Sequence, residues 1–163
     1  MSFGEAGGSE VDFETMHGRN WPSITQFSIF LENRVGQLHE VLRAFQGSKV
    51  RIVGLTISDS ADCSIVRLVL SHPEQGREIL ELHKLAFAEN ELLAAELPAG
   101  PQSLMDLCTA LLQAEINIHY AYPLIVHPHG RCAVAMHIDN IEQASAALHA
   151  MGFEIICEAD LSG

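Results

Sequence analysis

Basic residues are scarce in this 163-residue chain. Nine Lys and Arg stand against 21 Asp and Glu, a formal net charge of −12. A phosphate backbone repels such a surface, which argues against nucleic acid and against an anionic membrane surface as partners. Nor does any apolar run approach the roughly 20 residues that span a bilayer. The first 20 residues, MSFGEAGGSEVDFETMHGRN, lack the basic flank and apolar stretch of a secretory signal, so a cytoplasmic location is expected. Cysteine is sparse: Cys63, Cys108, Cys132 and Cys157 form no CxxC pair and sit in or beside apolar stretches, which suits reduced thiols rather than disulfides or zinc ligands. Enzyme signatures are missing too. There is no Walker A loop, no GxGxxG after a strand, no GxSxG and no HExxH. A non-catalytic protein without a cofactor is therefore expected.

What is present is 48% hydrophobic residues, a globular composition, and a length that suits one ordinary body or two small ones. Residues 1–22 lack periodicity and read for the most part as a flexible tail, from which Met16 or Trp21 has the means to dock on the body. Beyond them the chain repeats itself. At an offset of 66, Glu32–Leu38 aligns with Pro98–Leu104, Val41, Leu42 and Phe45 meet Leu107, Cys108 and Leu111, and Val50 and Ile52 meet Ile116 and Ile118. The offset then becomes 68, with Leu80 on Leu148 and Phe87 on Ile155. A two-residue difference of this kind belongs in a hairpin loop.

Each half reads as strand, helix, strand, strand, helix, strand. In residues 23–90, Ile24–Leu31 is strand-like, and Leu38, Val41, Leu42 and Phe45 form one helical face ended by Gly47. Val50–Ser58 and Cys63–Ser71 flank the turn Asp59-Ser60-Ala61-Asp62. Pro73 opens a second helix with Gly76, Ile79, Leu80 and His83 inward, and a short strand near Leu85–Ala88 closes the unit. In residues 91–163, Leu92–Leu97 is a strand and a helix carries Leu104, Leu107, Cys108 and Leu111. Ile116–Val126 and Arg131–Ile138 form a hairpin. A helix follows Asp139-Asn140, and Phe153–Ala159 is the last strand. This is an α+β chain of two ferredoxin-like βαββαβ units, with antiparallel sheets and both helices on one face. The uncovered faces, carrying Val53, Leu55 and Ile57, call for cover by the other unit or by a second chain, so a homodimer is expected.

Asn33-Arg34-Val35-Gly36-Gln37-Leu38 after the first strand resembles the ACT domain family's polar-x-x-Gly-x-Leu helix start. Val50–Ile57 and Ile116–Tyr122 resemble its second strand in two successive units. The resemblance covers residues 24–160 and implies a free-standing tandem-ACT protein. Such a protein is a regulatory sensor of amino acids related to acetolactate synthase regulatory subunits, with ligands at unit interfaces near the loop after the first strand. A metabolic enzyme is the partner it implies if no small ligand binds.

The residues give that site a physical basis. An amino acid needs N–H donors for its carboxylate and oxygens for its ammonium. Val35-Gly36-Gln37 stands at a helix start, where unpaired amides and the helix dipole favour an anion. Gly36 lets a ligand approach the backbone, Asn33 both donates and accepts, and Arg34 has the reach to meet a carboxylate. Asn33 and Gly36 equally suit a cap and a turn. The second unit departs from the pattern: Gln102 stands where Gly36 does, and Gly100-Pro101 makes the turn. Tyr120 and Tyr122 suit packing or pocket walls.

Nine histidines include His119, His127, His129 and His137 in one hairpin. If Tyr120 and Tyr122 share a face with Val134, Met136 and Ile138, His119 and His137 become neighbours on the other. They would then form a pair of metal-ligand type, though no Cys or carboxylate at typical spacing completes the set.

Overall fold

The computed structural model describes residues 22–32 and 34–163. Asn33, Met16 and Trp21 lie outside the described residues. The first unit comprises β1 (Ile24–Glu32), α1 (Gln37–Ala44), β2 (Ile52–Asp59), β3 (Cys63–Leu70) and α2 (Pro73–Leu82). A ten-residue strand, β4 (Phe87–Glu96), leads into α3 (Ser103–Gln113), β5 (Ile118–Pro123), β6 (Ala133–Ile138), α4 (Ile141–Ala150), β7 (Ile155–Ile156) and a one-turn α5 (Glu158–Leu161). The helix starts follow local chemistry. Pro73 occupies the first turn of α2, where a missing N–H costs nothing, and the Asn140 side chain accepts from the Gln143 amide at 2.9 Å to cap α4.

All the strands pair antiparallel in the order β2-β3-β1-β4-β6-β5, with β7 also on β4. The fold is thus the α+β arrangement of two ferredoxin-like units. The first half of β4 borders β1, from Ile24↔Leu92 to Ile29↔Phe87, and its second half lies between β6 and β7. The expected strands Leu85–Ala88 and Leu92–Leu97 are therefore parts of one. Glu89-Asn90-Glu91 is polar enough to suggest a turn, yet Glu89 and Asn90 pair with Phe27 and Gln26, and that pairing overrides local preference.

The sheet curls on itself, and three apolar layers result. Phe27, Ile29, Leu31, Val66 and Leu68 pack beneath α1 and α2 with Val41, Phe45 and Leu80. Leu93, Ala95, Val134 and Met136 pack beneath α3 and α4 with Leu107, Leu111 and Leu148. Between the two halves Ile24, Val53, Val69, Leu92, Tyr122, Leu124, Ala135 and Ile156 form an inner layer, which Leu161 of α5 joins. Each fully buried aliphatic side chain contributes about 1.5–3 kcal/mol of transfer free energy. The curl closes where Gly54 bridges Leu124 and the Ile125 amide donates to the Val53 carbonyl at 2.8 Å. A Cβ on Gly54 would stand 3.0 Å from Leu124 Cδ2 and 3.1 Å from Val69 Cβ, so its neighbours would have to give by a few tenths of an ångström to admit a side chain.

Two expectations about faces are corrected by one device. The pairing of β2 with β3 slips between Ile52 and Gly54, and that of β5 with β6 between Ile118 and Tyr120. These positions match at the offset of 66, so both units carry the same irregularity in their second strand. An extra residue turns the following side chains to the other face. Val53 thus faces the inner layer, while Leu55 packs beneath the first unit's helices and Ile57 is half exposed. Likewise Tyr120 lies opposite His137 and Tyr122 opposite Ala135, on the face away from Val134, Met136 and Ile138. The expected strand Phe153–Ala159 shortens to Ile155–Ile156, because Glu158–Leu161 turns into α5.

Candidate functional site

The turn before α1 is held by its own backbone. The Arg34 amide donates to the Glu32 carbonyl at 2.9 Å, and the Glu40 amide to the Gly36 carbonyl at 3.1 Å. Gly36 adopts φ +89°, the left-handed region that glycine occupies without strain, and a Cβ there would meet nothing within 4 Å. Among the described residues, the Leu38 and His39 amides in the first turn of the helix have no acceptor. Arg34 lies 3.7 Å from Glu32, and Val35 projects fully into solvent. With its amide turned to suit its neighbours, Gln37 accepts from the Arg34 guanidinium. Leu38 packs against the first unit's core. This turn can offer N–H donors to an anion but presents no enclosing wall of its own.

The second turn is also exposed. Gly100 has φ +127°, Pro101 follows, and Gln102 starts α3 with its carbonyl accepting from Asp106 at 2.9 Å but without a side-chain cap. The two turns are not brought together. β1 and β4 run antiparallel, so the first turn leaves beside Ala86 at the start of β4 and the second leaves from its end. A cleft of about 280 Å³ between α2 and α5, lined in part by Ser71, Pro73, Glu74 and Glu158, involves neither turn. Another of about 260 Å³, lined by Pro98, Asp106, Thr109, Met151, Gly152 and Phe153, lies beside the second.

Tyr120 belongs to a different constellation, in the inner layer. Gln26, fully buried on β1, donates through Nε2 to Tyr120 Oη at 2.8 Å and accepts from Tyr122 Oη at 2.7 Å. Burial holds the Tyr122 phenol well above its ordinary pKa, helped by Tyr120 beside it. The Arg67 guanidinium lies over the Tyr120 ring, 4.4 Å from its centroid, and His137 stacks on that ring at 5.0 Å and 19°. Sequence reasoning missed Gln26 and Arg67. The signal was the alternation Ile24-x-Gln26-x-Ser28, which sets polar groups on the strand face opposite Phe27, Ile29 and Leu31.

His119 and His137 are neighbours, with ring centroids 5.1 Å apart. His119 Nε2 engages Asp139 Oδ1 at 2.5 Å, and burial, then His119, then Arg67 depress the His137 pKa. Among the described residues no three His, Cys, Asp or Glu side chains gather as metal ligands. His129 instead bridges two acids. Its Nδ1 is 2.6 Å from buried Glu96 Oε1, an ion pair when the imidazole is protonated. Its Nε2 is 3.1 Å from Asp160 Oδ1, and Asp160 Oδ2 also accepts from the Cys157 amide at 2.8 Å.

A duplicated unit, a shared strand and matched irregularities describe a pair of related modules, and the model of the ACT domain pair matches residues 22–163. The chain belongs to the ACT domain pair family. Among solved structures, protein BT0572 from Bacteroides thetaiotaomicron is similar at 24% identity and a TM-score of 0.79, over 88% of this chain and 99% of that one. The ligand-free regulatory subunit of aspartate kinase from Thermus thermophilus is similar at 14% identity and a TM-score of 0.58, over 82% of this chain and 93% of that one. Its counterpart from Thermus flavus is similar at 14% and 0.52, over 80% and 93%. At these identities the likeness is one of fold. No curated protein sequence matches the chain. Among the described residues, no helix of this ACT pair is long and apolar enough to cross a membrane.

Proposed function

We propose that this ACT pair is a non-catalytic regulatory protein that binds an amino acid at the turn before α1 and completes the site across an interface with a second copy. The observation that carries this reading is the first turn of α1. Two amides without an acceptor among the described residues stand at a helix start behind a left-handed glycine, and a Cβ on that glycine would meet nothing within 4 Å. Such a terminus favours a carboxylate. The exposed Val35 and the missing far wall support completion by another chain. Asn33 and Arg34 would meet the ligand's polar groups, and Gly36, Gln37 and Leu38 would supply the turn. Gly100-Pro101-Gln102 is the lesser counterpart, since Gln102 takes the place of the glycine.

A thermal-shift screen of the twenty amino acids tests this. A ligand at 100 times its dissociation constant adds about 2.7 kcal/mol. Gly36→Asn is the decisive variant, because Asn tolerates the left-handed region while adding a side chain where a ligand would approach the turn. The expected result is a shift that this variant abolishes and light scattering that shows a dimer. A flat screen together with capture of a metabolic enzyme supports the second reading, a protein-docking regulatory subunit. That reading draws on the Thermus thermophilus neighbour, a regulatory subunit of aspartate kinase.

A further inference from the structure

The curled sheet is closed at one mouth and open at the other. α5 seals the first: Leu161 enters the inner layer, and Glu158 Oε1 accepts from the Thr25 amide at 3.1 Å and from its hydroxyl at 2.5 Å. At the other mouth the inner face of the first unit extends beyond the cover of the second. Two cross-strand rows lie there, Thr56–Arg67–Ser28–Ala88 and Ser58–Ile65–Phe30. Phe30 is 46% exposed although it sits mid-sheet, and Ala88 beside Ser28 leaves that flank low and open.

Arg67 stands at the inner end of this floor and is fixed in place. Its Nη1 donates to Ser58 Oγ at 2.6 Å, and the Tyr120 ring backs its plane. Its Nε is closed off from solvent without an acceptor. In a chain of net charge −12, no carboxylate among the described residues pairs with it. Arg34, Arg43 and Arg77 each have an acid within 4 Å. Neither row contains Asp or Glu, and Asp139, which flanks the histidines, is engaged by His119.

We propose that this open mouth is a binding site for a small organic acid with an apolar tail, its carboxylate on Arg67 and its tail on Phe30 and Ile65. A planar guanidinium held by a hydroxyl and an aromatic ring is pre-organised for a carboxylate. Among the described residues, the two rows offer apolar carbon and hydroxyls, and the nearest acid on that strand face, Glu32, lies beyond Phe30 and away from Arg67, so an ammonium group beside the carboxylate would find no counter-charge there. The site thus selects acids without an ammonium group over the corresponding amino acids, and it uses none of the residues of the turn before α1.

The test is an NMR titration of the full chain with 4-methylpentanoate, against leucine, which differs only by its ammonium group. 3-Phenylpropanoate against phenylalanine repeats the comparison. The expected result is saturable binding of each acid, at least tenfold tighter than its amino acid. Arg67→Gln should weaken the acid by about ten- to hundredfold, the worth of a charged hydrogen-bonded contact. Phe30→Glu, at an exposed position that leaves the core untouched, should do the same by placing a like charge under the tail. Gly36→Asn should leave acid binding unchanged. No binding, equal binding of leucine, or undiminished binding in both Arg67→Gln and Phe30→Glu overturns the proposal. So does loss in Gly36→Asn, which would move the acid to the turn. An amino acid lost in Gly36→Asn but kept in Arg67→Gln upholds the turn reading independently.

Discussion

Gln26 of the first unit and Tyr122 of the second share a buried hydrogen bond of 2.7 Å, and the same amide reaches Tyr120 at 2.8 Å. One side chain thereby satisfies two hydroxyls from the other half. Replacing it leaves the Tyr122 hydroxyl without a partner in an apolar layer, which costs about 1–3 kcal/mol. Gln26→Leu should lower the urea midpoint accordingly. Gln26→Leu combined with Tyr122→Phe should cost less than the sum of the two single changes, since both partners then leave together.

The chain has two tyrosines, and their environments differ. Burial raises the Tyr122 phenol's pKa far above its usual value of about 10. A spectrophotometric titration should therefore leave Tyr122 un-ionised through the ordinary phenol range. It should ionise only as alkali unfolds the chain. Smooth titration of both rings near pH 10 in folded protein would contradict the closed inner layer.

Gly76 marks the tightest approach of α2 to the sheet. A Cβ there would overlap Leu70 Cδ1, and Leu70 is itself buried. Ala favours a helix over Gly by roughly 1 kcal/mol, yet overpacking costs about 1–3 kcal/mol, so the clash decides the sign. Gly76→Ala should destabilise, and Gly76→Ala with Leu70→Val should recover part of the loss. Thermal unfolding measures both.

His129 ties the β5–β6 loop to Glu96 at the end of β4 and to Asp160 in α5. The Asp160 hydrogen bond, with the charges of Glu96 and Asp160, raises its pKa in the fold. A raised value means the contribution is complete below the unfolded value of about 6.5 and fades as pH rises through the folded value. Asp160 is lowered, first by the Cys157 amide, so its share persists above about pH 3.9 and is lost as pH falls through its folded value. The protection factors of the α5 amides, which remove the intrinsic pH dependence of exchange, should therefore be highest in mildly acidic solution and fall above neutral pH. In His129→Gln that fall in protection should disappear.

Much of this arrangement was legible in the residues. Pro73 and Asn140 announced their helix starts, Gly76 and Leu80 lay inward as their spacing required, and the 66-residue offset exposed the duplication. Other features depended on pairing that no local pattern carries. Glu89-Asn90-Glu91 reads as a break but is strand, because β1 supplies its ladder. The irregularities at Val53 and His119 reverse the faces of Leu55 and Tyr120, and alternation alone cannot signal an inserted residue. The turns at Gly36 and Gly100 do precede helix starts, as their glycines suggest, while their separation to opposite ends of β4 follows only from the topology.

Because Phe87–Glu96 borders one half with its first residues and the other half with its last, the molecule has an axle where a chain of two modules would have a joint. The first turn, beside Ala86, and the Glu96–His129 contact thus stand at the two ends of one ten-residue strand, and no linker separates the halves.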